Sequence, residues 1–135
     1  MNSVSQPIHV RTQAPTRPIE AEAVWLGQDL LVWIWGGERP HIGAVAAAQP
    51  RASLADPGRR SATASVLAYL GHKEDAVVKM VSESLAAAFD AKVVVAAGIH
   101  WDDLPAAEIG VIMERCRELV ELLKQSVRPG RRGAP

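Results

Sequence analysis

The sequence predicts an α/β fold: a two-layer sandwich in the order ββββαβα, with a mixed sheet and its helices mainly on one face. Three observations carry this reading. The first half holds four short apolar runs separated by Gly, Pro and Asp turn signals; the apolar spacing lengthens to a helical period from Glu74; and one further apolar run, "KVVVAAGI", parts two helical stripes.

Taken in order, residues 1–18 carry three prolines and no periodicity, which predicts a flexible N-terminal arm. "EAEAVWLGQ" (20–28) alternates as a strand does and ends in a Gly-Gln-Asp turn. "LLVWIW" (30–35) is β-branched and aromatic, and "HIGAVAAA" (41–48) follows it after "GGERP", a spacing that predicts an antiparallel hairpin. Asp56-Pro57-Gly58 then marks a turn before a fourth strand at 61–70. Val77, Val78, Val81, Leu85, Ala88 and Phe89 form one helical face. After the strand at 92–99, a second helix repeats the stripe with Ile109, Ile112, Met113, Cys116, Val120 and Leu123. The single domain spans 19–127, and "RPGRRGAP" (128–135) predicts a disordered basic tail.

Composition narrows the function. Fifteen Lys and Arg balance fifteen Asp and Glu, so no net field draws the chain to nucleic acid or to an anionic membrane. The longest apolar run is too short to cross a bilayer, the N-terminus has no signal-peptide apolar region, and one cysteine makes no internal disulfide. Together these predict a cytoplasmic protein. The strands at 30–35 and 92–99 are apolar on both faces, more than two helices on one side can cover, and this predicts a homodimer.

Strand direction gathers the informative residues. If the strand at 30–35 runs up, the strands at 61–70 and 92–99 also run up, the last two joined by a right-handed crossover as a parallel pair. His41, His72 and His100 then share the upper edge with Arg39, Lys73 and the starts of both helices, where free backbone N–H groups favour an anion. Each residue also has a plain role: Gly36-Gly37 as a turn, Glu74 and Asp75 as dipole-favoured acids, Asp102 and Asp103 as caps, Trp33 and Trp35 as core or interface, Cys116 as core. Three histidines and an aspartate suit zinc or iron, but no paired-histidine spacing is present. The small residues of "HIGAVAAA" and "VVVAAGIH" instead let a flat phosphorylated ligand lie close to backbone.

"GGERPHIGAVA", "GHKED" and "VVVAAGIHWDD", in this order, resemble the small prenylated-flavin chaperones that accompany UbiD-type decarboxylases of gallate and other hydroxyarylic acids. The resemblance covers about residues 22–125. It implies a non-catalytic carrier of prenylated FMN, or of FMN itself, with a UbiD-type decarboxylase and a flavin prenyltransferase as partners. The candidate cofactor-binding residues, taken from the strand geometry within these motifs, are Gly37, Arg39, His41, Gly43, His72, Lys73, His100, Trp101 and Asp102. The alternatives are a metal-dependent enzyme built on the three histidines, or a ligand-free assembly module for a larger decarboxylase subunit.

Overall fold

Period-two alternation makes the strands of this computed structural model, which describes residues 3–70 and 74–127. In β2 (Ile19–Leu26), Ile19, Ala21 and Ala23 are buried while Glu20 and Glu22 are half-exposed. β3 (Asp29–Gly37) repeats the pattern with Leu30, Val32 and Ile34 inside. Gly27, at φ +64°, supplies the left-handed turn between them. β4 (Ala44–Ala52) and β5 (Arg60–Ala68) follow and pair antiparallel. α1 (Asp75–Phe89) runs back, β6 (Val93–His100) returns, and a short 3-10 turn at Ala106–Glu108 leads into α2 (Ile109–Ser126).

The result is the two-layer α/β sandwich with a mixed sheet. Its six strands lie in the order β1-β2-β3-β6-β4-β5, with β3 and β6 parallel and the other neighbours antiparallel. α1 lies on β4, β5 and β6, and α2 on β1 and β2, both over the same face. Leu85, Leu119, Leu123 and Cys116 are sealed between the layers. Burial there pushes the Cys116 thiol up to about 12.

Four expectations are corrected. Residues 8–11 are not part of a flexible arm: Ile8–Arg11 forms the edge strand β1, paired with β2. Residues 12–18 cross to α2, where the Gln13 N–H donates to Glu118 and Arg115 donates to the Thr16 carbonyl. The arm holds because His9, Val10 and Arg11 alternate as an edge strand does, a pattern too short to stand out beside three prolines.

The β3–β4 hairpin does not form. β6, the most continuously apolar strand, takes the centre between them, and the connection at 38–43 steps over it. A gap of two strand spacings is about 9.6 Å, which six residues span easily. For the same reason β5 and β6 run parallel without pairing, since β4 stands between them. Asp102 and Asp103 cap no helix either, because α2 starts only at Ile109 with Glu108 before it. The tail at 128–135 lies outside the described residues. Among the described residues, no helix is long and apolar enough to cross a membrane.

Candidate functional site

The step over β6 builds the upper edge. Gly37 leaves β3 at φ +84°, and a Cβ there would overlap the His100 carbonyl and crowd the Trp101 ring. The Glu38 N–H donates to the His100 carbonyl at 2.7 Å, and the Gly43 N–H donates to the Ala97 carbonyl at 2.8 Å, so both ends of the loop are tied to β6. Between them the His41 carbonyl rests on Gly98, in space that any Cβ would fill. The glycines of "GGERPHIG" and "AAGIH" are thus explained together. They let one chain segment cross another at backbone distance.

Beneath the loop a buried carboxylate meets a half-buried imidazole. Glu74, just before α1, is only 8% exposed. Its Oε1 lies 3.2 Å from His41 Nε2 and accepts a long hydrogen bond of 3.4 Å from the Ile99 N–H. His41 Nδ1 is 2.8 Å from the Arg39 carbonyl, which only accepts, so Nδ1 carries a proton and Nε2 faces the carboxylate. Glu74 Oε2 is buried with no hydrogen-bond partner among the described residues, and it occupies the room left by the missing side chain of Gly43. A buried polar atom left this way costs on the order of 1–3 kcal/mol, the kind of local cost that accompanies a task.

A second, exposed group lies on the outer side of the same edge. His100 Nε2 is 2.9 Å from Asp102 Oδ1, Arg39 Nη2 is 3.6 Å from Oδ2, and the Asp102 N–H donates to Glu38 at 3.1 Å. The hydrogen bond from His100, then the contact with Glu38 and the charge of Arg39, hold the Asp102 carboxyl below its ordinary value of 3.8. Trp101 turns the other way. The Arg17 guanidinium stacks 5.2 Å from its ring centre while donating twice to Glu108, at 3.0 and 3.1 Å.

Two hollows flank the pair. One, of about 370 Å³, is a notch on the sheet face away from the helices, between the crossing loop (Pro40, His41, Ile42) and the surface of Trp33, Trp35 and Ala96. The other, of about 300 Å³, is an apolar pocket at the top of the helical layer, lined by Val77, Ile99, Trp101, Leu104, Ile112 and Met113, with Glu74 in its wall. His41 lines the notch and Glu74 the pocket, so the pair stands in the partition between them.

The geometry thus brings Gly37, Arg39, His41, Gly43, His100, Trp101 and Asp102 to one edge, but in separate groups. His72 and Lys73 lie outside the described residues. Among the described residues no three His, Cys, Asp or Glu side chains are placed to hold a metal ion, and His41 and His100 engage different carboxylates. Glu74 escapes a sequence reading because an acid at a helix start already has a sufficient cause in the helix dipole. Nothing local to "GHKED" marks its burial. Trp33 and Trp35 read as core or interface by alternation, yet they floor the notch.

A family model described as "Prenylated flavin chaperone LpdD-like domain" matches residues 13–128. No curated protein matches the chain. Among solved structures it is similar to a chain of the "Crystal Structure of a Novel Chaperone Complex for Yeast 20S Proteasome Assembly", with a TM-score of 0.61 over 90% of this chain and 96% of that one. Identity there is 11%, a likeness of fold.

Proposed function

Since the chain belongs to the prenylated flavin chaperone LpdD-like family, we propose that it is a non-catalytic cytoplasmic carrier that holds prenylated FMN and passes it to a UbiD-type decarboxylase. The observation that carries this reading is the notch. Its floor of Trp33, Trp35 and Ala96 and its wall of Pro40, His41 and Ile42 are almost wholly apolar, the surface on which one face of a fused aromatic ring can lie. Ala96 keeps the sheet low there, so a ring can approach the backbone.

The residues present suit the group. Arg39 reaches out of the edge with its side chain 70% exposed, where it can meet a phosphate, and His72 and Lys73 are the further cations proposed for it. The bound group supplies the reactive ring that the decarboxylase uses; the carrier's own residues bind, orient and shield that ring. Glu74 fixes the His41 imidazole in the notch wall, and Gly43 makes room for that carboxylate. Cys116 is remote from the edge on the buried face of α2, with its thiol pushed up to about 12, a poor nucleophile at neutral pH.

Anaerobic titration with prenylated FMN and, separately, FMN tests this, followed by flavin absorbance and tryptophan quenching. Saturable binding is expected, tighter for the prenylated form, and Trp33→Ala and His41→Ala should each weaken it about tenfold or more. No saturable binding by the wild-type protein, or wild-type affinity in both variants, overturns the assignment.

A further inference from the structure

The sheet ends in two unlike edges. At one end β1 is only four residues long, carries His9 and Arg11, and hands the chain to the segment that crosses to α2. Short, charged edges of this kind resist pairing with other chains. At the other end β5 runs nine residues, and from Ser61 to Leu70 the sequence holds neither a charge nor a proline.

The register shows which backbone groups β5 leaves open. The Tyr69 N–H donates to the Gly43 carbonyl, and the Ser53 N–H donates to the Arg59 carbonyl, so the odd-numbered residues of this segment face β4. Pro50, which has no N–H, stands opposite Ala62, as an even-numbered pair between ladder bonds allows. Ala64, Val66 and Ala68 therefore turn their N–H and C=O groups outward, and among the described residues no hydrogen bond reaches them. The side chains there are apolar on both sides of the sheet. Leu67, 63% exposed, stands on the face away from the helices in register with Val45 and Ala96. Val66, 39% exposed, shares the helical side with buried Ala62, and Tyr69 and Leu70 continue the exposed run.

We propose that β5 takes a seventh strand from a partner protein: an extended, uncharged apolar segment of the enzyme that receives the cargo, with a carboxylate at the end nearest Arg59. The identity of the partner rests on the carrier reading; the strand addition itself rests on the edge.

The open groups specify the occupant. Donors and acceptors alternating along one line are matched by another extended backbone, and the side chains beside them then select its sequence. Since β5 is apolar on both sides there, the incoming strand is apolar on both sides too. Charge sets its end. At the foot of β5, Arg51, Arg59 and Arg60 line a hollow with a single acid, Asp90, which favours a carboxylate on the partner. A second copy fits this edge poorly. Laid parallel, its β5 puts arginines on arginines; laid antiparallel, it offers them the strand's other end, and no acid stands between Ser61 and Leu70. Position supplies the functional consequence. Tyr69 is bonded to Gly43, next to Ile42 of the notch wall, so the added strand ends beside the notch.

Amide hydrogen exchange on the isotope-labelled chain, alone and with the purified UbiD-type decarboxylase of the same organism, tests the proposal, with sedimentation velocity reading the complex. In the free chain the Ala64, Val66 and Ala68 amides should exchange fast, while those of Ser65 and Leu67, turned toward β4, exchange slowly. The decarboxylase should slow the first three about tenfold or more. Val66→Pro deletes an outward N–H and no bond to β4, and Ala68→Lys places a charge on the edge. Each should weaken the complex about tenfold or more. Flavin affinity should stay at wild type in both, since neither residue lines the notch. Should the proline variant fail to fold, Ala68→Lys decides. The proposal is overturned by the absence of a complex, by a complex that leaves the three amides fast, or by wild-type association of both variants. Protection that arises in the chain alone and grows with its concentration makes a second copy the occupant and overturns it too. A chain that binds no prenylated FMN yet gains edge protection from the decarboxylase loses the carrier reading and keeps the docking.

Discussion

Gly98 is the residue on which the upper edge turns. The His41 carbonyl sits where its Cβ would be, so the smallest change, Gly98→Ala, must lift the loop at 38–43 away from β6. That strains the Gly43–Ala97 and Glu38–His100 hydrogen bonds and the contact of His41 with Glu74. Urea unfolding of Gly98→Ala should report a loss of about 1–3 kcal/mol, the usual cost of forcing a methyl into filled space. A neutral result would mean that the loop shifts freely and holds no fixed geometry. Gly110, with nothing within reach of an added Cβ, is the control; there alanine should be neutral or slightly stabilising, as in any helix.

Among the elements, the segment joining β1 and β2 behaves as a strap over α2 and the loop after β6. Its key fastening is Arg17, which pairs with Glu108 and covers Trp101. The hydrogen bond from Arg17 holds the Glu108 carboxyl below its ordinary 4.5, so this stabilisation is complete above that value and is lost as pH falls through the depressed one. In Arg17→Ala, hydrogen-exchange protection at Thr12 and Ile19 should drop at neutral pH, toward what wild type shows only in acid. Equal protection in both proteins would mean the strap is held elsewhere. The strap also marks how far the sequence speaks. Alternation and helical stripes declare β2, β3, β6, α1 and α2, because each buries a periodic apolar set. β1 has four residues and needs β2 before its pattern means anything. Strand order is hidden for a similar reason. "GGERPHIG" suits a hairpin turn and a crossing loop equally well, and only Gly98, sixty residues later, separates the two. The edge residues were legible through strand direction alone, which survives the insertion of β6. The partnership of Glu74 with His41 was not, because it depends on a gap left by Gly43.

At the scale of the whole molecule, one buried atom reports on everything. Cys116 is fully enclosed between the sheet and both helices, and its thiol is pushed up to about 12. A thiol reagent should reach it only through global opening, so the labelling rate should rise with urea in step with the loss of circular dichroism. Fast labelling of the native protein would mean that α2 lifts from the sheet on its own. The same cohesion places the notch and the strap in one cooperative unit.

The crossing loop has one more consequence, for the order in which a growing chain can assemble. β1, β2 and β3 form one ribbon and β4 and β5 another, and no hydrogen-bonded ladder joins the two until β6 lies between them. During synthesis the sheet therefore remains two separate halves until about residue 100 has left the ribosome. The keystone strand then slides beneath a bridge already made, and the Ala97 and His100 carbonyls latch it from below. The notch, floored by Trp33 and Trp35 of β3 and Ala96 of β6, is therefore incomplete before that moment.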